Sequence, residues 1–161
     1  MTANFNDAAI NAVLDRIVSF ALATGRFEQV NQHEPKNGPG NGLTCAIWVQ
    51  RIRPVRSSGL AATSGVIILN ARLYTNFKSA PFDYIDPNLT AASTDFMGAL
   101  SGDFQLDDNP AVASVREIDL LGMEGQPLEV NAGYLEMDRQ MYRVMTVTIP
   151  VVINDMFTQV A

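Results

Sequence analysis

The sequence predicts an α+β fold, a mostly antiparallel sheet of about five to six strands with two helices packed on one side. Two observations carry this expectation. Segments of helical period alternate with strand-like runs in the order helix, three strands, helix, three strands. The later strands are joined by turns too short for parallel crossovers, which favours antiparallel neighbours. The 161 residues, 47% hydrophobic and 17% charged, suit a single domain over residues 1–161, without an internal repeat or a splitting linker.

The first helix is expected over Asp7 to Ala23. Ile10, Val13, Leu14, Ile17, Val18 and Ala21 follow the three-and-four spacing of one buried stripe. Asn6 or Asp7 can cap its start and Thr24-Gly25 its end. Phe27 to Asn31 reads as a short strand, and His33 to Gly42 as a turn-rich loop whose prolines and glycines exclude regular structure. Thr44 to Ile52 and Val66 to Tyr74 read as strands covered on both sides near mid-sheet. After irregular chain, Asp86-Pro87 resembles a helix start, a capping carboxylate followed by proline. That helix would run from about Asn88 to Leu100, burying Leu89, Ala92, Phe96 and Leu100, with Gly102 ending it. Three strands are expected at Val115 to Leu121, Leu128 to Met137 and Met141 to Ile153. Gly122 to Pro127 turns between the first two, and Asp138-Arg139-Gln140 between the second pair.

The stretch between the two central strands contains Arg53, Arg56, Ser57, Ser58, Gly59, Thr63 and Ser64, with Arg51 just before it. Roughly a dozen residues is long for a hairpin connection, which usually takes two to five. A cationic, hydroxyl-rich loop of that length reads either as a solvated strand end or as a part that touches another macromolecule. Guanidinium groups suit carboxylates of a neighbouring subunit or phosphate. No aromatic residues alternate with these arginines, which disfavours a base-stacking platform.

Net charge is −6, unevenly spread. Residues 1–78 carry eight Arg or Lys and four acids, giving +4; residues 79–161 carry three and thirteen, giving −10. Opposed patches would favour head-to-tail self-association, unless folding intermixes the halves. The acidic balance argues against a dedicated nucleic-acid binder. The single Cys45 allows no internal disulfide and fits a reducing cytoplasm. No basic, apolar leader opens the chain, and no run approaches the roughly 18 apolar residues of a membrane span, so no membrane partner is expected.

Chemistry-bearing patterns are weak. His33 and Cys45 make no metal set, and a cysteine in an apolar strand is usually inert. Gly38-Pro39-Gly40-Asn41-Gly42 lacks the Lys-Ser/Thr of a phosphate loop and precedes a strand. Asp103, Asp107 and Asp108 lack the ligand spacing of a calcium loop. No catalytic residue, cofactor site or metal site is therefore expected, and the chain does not read as an enzyme. The last strand instead asks for a partner. It is apolar on both faces beyond Thr148, and Pro150 inside a strand points to an edge or a bulge. Met156 and Phe157 in the tail could cover that edge, from the same chain or from a neighbour.

These pieces resemble the tail terminator family of long-tailed bacteriophages, in the version found in phages of actinobacteria. The matching segments stand in order after an N-terminal helix: GRFEQVNQHEPKNGPGNGLTCAIWV, IRPVRSSGLAATSGVIILNARLY, PFDYIDPNLTAA before a helix, then REIDLLGMEGQPLEVNAGYLEMDRQMYRVMTVTIPVVIND. They cover nearly the whole chain. The resemblance implies a virion protein, assembled in the host cytoplasm as a homo-oligomeric, hexameric ring on the head-proximal end of the tail tube. Such a ring ends tube polymerisation and docks the neck or head-completion protein, with genomic DNA passing through its lumen. A closed ring built from one contact must be heterologous. The expected interface residues are Arg51, Arg53, Arg56, Ser57, Ser58, Asp103, Asp107, Asp108, Pro150, Met156 and Phe157. Another ring protein of the neck or tube is the alternative, and a small-ligand-binding α+β domain a further one.

Overall fold

The computed structural model describes residues 7–34, 42–55, 62–76, 82–104, 106 and 116–158. Helix α1 spans Asp7–Ala23 and α2 spans Ile85–Gly102, the latter preceded by a 3-10 turn at Phe82–Tyr84. The strands are β1 (Gln29–Asn31), β2 (Thr44–Val55), β3 (Ala62–Asn76), β4 (Arg116–Ile118), β5 (Glu129–Met137) and β6 (Gln140–Thr158). They form one six-stranded sheet in the order β1-β2-β3-β6-β4, with β5 also pairing β6. All pairings are antiparallel except β1 with β2. The α+β architecture matches the expectation.

Alternation along the strands separates two faces. On one, Cys45, Ile47, Ile67, Leu69, Ala71, Leu73, Ile118, Val147, Ile149, Val151 and Ile153 join a single buried cluster with both helices. Helix α1 contributes Ile10, Val13, Ile17 and Ala21, and α2 contributes Ile85, Leu89, Ala92, Phe96 and Leu100. Burial without a polar partner pushes the Cys45 thiol far above its ordinary range, so it packs as an inert core group. The opposite face carries Trp48, Arg51, Arg53, Asn70, Arg72, Thr146 and Thr148, with a smaller cluster of Ala46, Tyr74, Tyr142 and Val144 towards one end.

Several expectations are corrected. Strand β6 is interior, with β3 along one side and β5 then β4 along the other, so Pro150 does not mark an edge. Pro150 sits in the gap between the last β5 pair, Glu129 with Thr148, and the first β4 pair, Val151 with Ile118. Its carbonyl accepts from Asp119 N at 2.9 Å on that side. The N–H and C=O of a strand residue point the same way, so the missing donor falls in the seam and no ladder bond is lost. Asp86 does not cap α2: Tyr84 is the N-cap, without a side-chain cap bond, and Asp86 lies in the first turn. Its carboxylate instead receives Arg143 Nε at 2.9 Å. Arg143 also donates to Gly133 O and stacks on the Tyr134 ring at 4.5 Å, tying α2 to the β5–β6 hairpin. The hydrogen bond that Arg143 donates to the Asp86 carboxylate holds the Arg143 pKa above its ordinary value. The expected strand over Val115 to Leu121 shrinks to three residues because the chain leaves the sheet at Asp119.

Candidate assembly interface

The central hairpin differs from the expected long loop. Strand β2 runs on to Val55, where it pairs Ser64, and β3 begins at Ala62, because β6 extends to Thr158 and pairs Ala62 and Thr63. Arg53, Thr63 and Ser64 therefore lie in strands, paired or stacked within the sheet, and Arg53 is not on a loop that leaves it. Arg51 and Arg53 point from the face opposite the helices, opposite Ile68 and Val66 on β3. Arg51 is exposed and Arg53 half-buried. Arg56, Ser57 and Ser58 lie outside the described residues, as do Asp107, Asp108 and most of the Gly38–Gly42 turn.

Arg53 has a partner within the chain. Its Nη2 donates to the carbonyl oxygen of Glu124, in the loop that joins β4 to β5. Arg53 shares a row across the sheet with Val66, Val152 and Glu117. To meet Arg53, the β4–β5 loop must therefore lie over the open face of the sheet. Asp119 organises it. This buried carboxylate takes Met123 N on Oδ1 at 2.9 Å and Glu124 N on Oδ2 at 2.8 Å. Charge-assisted acceptance of two successive N–H groups makes a rigid turn without secondary structure. Gly122 (φ 75°) and Gly125 (φ 114°) supply the left-handed backbone. A Cβ on Gly122 would lie 2.8 Å from Pro127 N, so the turn also closes too tightly for a side chain.

This fixed loop displays Leu121 at 86% and Met123 at 84% exposure, the two barest large apolar side chains among the described residues. Beneath it runs an open groove of about 280 Å³, lined by Phe104, Glu117, Ile118, Leu120 and Val152 among others. The groove offers little for small-molecule chemistry: both oxygens of its Asp119 are consumed by backbone N–H groups. Ligand pockets usually exceed about 300 Å³ and converge several polar groups. His33 is exposed and bonds to Glu34 O. Among the described residues no group of three or more His, Cys, Asp or Glu could hold a metal ion, and no helix is long and apolar enough to cross a membrane.

The remaining expected interface residues fare differently. Asp103 is engaged within the chain, receiving Arg16 Nη2 from α1 at 2.6 Å. With Arg26 to Asp95 at 2.8 Å, it shows that folding pairs the basic half with the acidic half within the one chain. Met156 is a core residue, and Phe157 packs half-buried against the same cluster. The cover at this end of β6 thus comes from its own chain. Gly65 makes room for it, since a Cβ there would come 2.5 Å from Met156 Sδ.

Asp119, Leu121 and Met123 were not singled out from the sequence. The available signal was two bare apolar residues around Gly122 in a Gly/Pro turn, directly after an acid.

No protein-family model matches the chain, and no curated protein matches it. Among solved structures it is similar to the sheath/tube terminator of an extracellular contractile injection system, seen by cryo-EM in the extended state. That likeness has a TM-score of 0.40 at 14% identity, covering 94% of this chain and 60% of the other. The chain thus spans about three-fifths of the length of that terminator.

Proposed function

We propose that this protein is a structural component of a phage virion, a tail terminator that forms a ring at the head-proximal end of the tail tube. The ring stops tube growth and presents the surface on which the neck docks. The protein is not an enzyme, needs no cofactor, and works in the tail or neck after assembly in the host cytoplasm. The ordered resemblance of segments along nearly the whole chain supports the terminator assignment. The observation that carries an assembly role is the β4–β5 loop. Its backbone is pinned by Asp119 and Arg53, yet it holds Leu121 and Met123 in solvent. Ordering a loop costs about 1–2 kcal/mol per residue, and bare apolar groups gain nothing in water. A rigid apolar protrusion is useful when another protein receives it. Intramolecular pairing of Arg16 and Arg26 leaves less charge for subunit contacts, which gives apolar contacts the larger share.

The double variant Leu121→Ser/Met123→Ser tests this reading. Both side chains are exposed, so the subunit should keep its stability within about 0.5 kcal/mol. Completed tails or head joining should be lost, and electron microscopy of the particles should show tubes of irregular length or heads without tails. Normal particles at normal yield from a folded double variant would remove the assembly role of this loop. Wild-type protein found anywhere other than the tube end in labelled particles would remove the terminator assignment.

A further inference from the structure

Among the described residues the sheet has two strand edges that no other strand covers, and they lie on opposite sides of it. β1 covers β2 only at Thr44 to Ala46, so no described strand covers β2 from Ile47 onward. At the far side β5 pairs β6 and no other strand among the described residues. We propose that, in the ring assigned above, β5 of one subunit pairs antiparallel with the bare stretch of β2, Ile47 to Arg53, of the next copy, so that the sheet continues across the subunit boundary. This inference rests on the ring reading and specifies its contact.

Strand direction favours it. β2 is antiparallel to β3, β3 to β6, and β6 to β5. The next copy's β2 therefore meets β5 antiparallel when the copies repeat head to tail, and the helices stay on one face throughout. A two-fold arrangement would pair like edges instead. Register favours it too. Glu129 at the start of β5 is level with Thr148, Asn70 and Trp48, so β5 stands beside the end of the sheet where β1 covers β2. Pairing with the bare stretch must then be staggered along the strands. Closing a sheet on itself requires such stagger and tilt.

The backbone groups are available. Met137 and Gln140 close the two-residue turn, and the alternation from there turns Val130, Ala132 and Glu136 away from β6. Long unguarded edges are rare in native proteins because they recruit other strands. β5 has no proline and no bulge. The β2 edge is guarded by Pro54 and by the bulge between Val49 and Arg51, so its partner must bring complementary charge. Exposed Arg51 supplies the positive side. Glu129, on the same face of the sheet, supplies the negative side from β5.

Ala132→Pro tests the pairing. Its N–H points away from β6, so proline blocks the outer edge and spares the hairpin. Native mass spectrometry of concentrated wild-type protein and electron microscopy of assembled tails report the ring. Circular dichroism reports the fold. A ring from wild type and a folded monomer from Ala132→Pro are expected. Rings from both proteins would overturn the strand pairing and leave the ring reading standing. Only monomers or two-fold dimers from wild type, in solution and in tails, would overturn both. Should Ala132→Pro fail to fold, charge exchange decides. Arg51→Glu and Glu129→Arg should each weaken assembly on the order of tenfold, and the two together should restore it. A double variant no better than the single ones would overturn the pairing.

Discussion

The two faces of the sheet follow different rules. Facing the helices, every inward position from Ile67 to Leu73 and from Val147 to Ile153 is apolar and fully buried. On the other side, the neighbours of those residues are mixed: apolar Ile68, Pro150 and Val152 beside polar Asn70, Arg72, Thr146 and Thr148, with Trp48 under the Arg72 guanidinium at 5.2 Å. The first face is filled by its own chain and specifies the fold. The second is partly covered by a loop hung from Asp119 and Arg53; it buries Val66, Ile68 and the Tyr74–Tyr142 cluster while Arg51 stays exposed. The core shared with the helices and the loop that displays Leu121 and Met123 thus lie on opposite sides of the same strands.

Adjacent residues of β6 give the most direct way to break this contrast. Ile149 is fully buried against the helices, and Thr148 is half-buried on the other face. Ile149→Ala should cost about 2–5 kcal/mol through lost transfer energy and a cavity. Thr148→Ala should cost under about 1 kcal/mol. Urea unfolding of the two variants measures the difference. Equal losses would mean that the open face carries as much of the fold as the helical one.

A smaller effect is expected from the strap across the open face. Asp119→Ala leaves Met123 N and Glu124 N without their acceptor and removes a charge-assisted pair worth about 2–4 kcal/mol. Part of that loss is recoverable by water, because the loop is at the surface. The stability loss should come with faster hydrogen exchange at residues 120–127, while α1 and α2 keep their protection. Uniform loss of protection across the molecule would show that the loop is part of the core rather than a strap on it.

The sequence makes the helical face legible, because its signals are periodic and local. The stripe of α1 predicts its bounds, Asp7 to Ala23, and the apolar strand runs predict β3, β5 and β6 with errors at their ends. The errors share a cause. Strand ends depend on what lies beside them: β6 pairs Ala62 and Thr63, and β3 pairs Arg53 through Val66, which takes Arg53 off the expected loop. Pro150 reads as an edge or bulge residue by itself, and only the gap between β4 and β5 shows why an interior strand tolerates it. The charge split reads as an intersubunit signal until tertiary structure brings Arg16 to Asp103 and Arg26 to Asp95. The apolar protrusion was obscured because Leu121 fits a strand pattern, whereas Asp119 folds the chain away from the sheet.

The smallest expected effect concerns the register that keeps the faces apart. A slip of one residue between β5 and β6 would turn Val130, which packs on the helical core, to the open face, and Glu129 to the core. The register is set by the two-residue turn at Asp138 and Arg139, whose φ values are 50° and 62°. Both central residues of such a turn need positive φ, which Asp tolerates and Arg does not. Arg139 is exposed, so its side chain has little packing to lose. Glycine at this position relieves left-handed strain of about 1–2 kcal/mol, offset by a larger loss of chain entropy on folding. Arg139→Gly should therefore stabilise the protein by about 0.5–1 kcal/mol, raising Tm by about 2 °C. An unchanged or lower Tm would mean that the turn is not where the register is held. The cross-strand pairs, above all Tyr134 opposite Arg143 with its tie to Asp86, would then be the feature that keeps the two faces distinct.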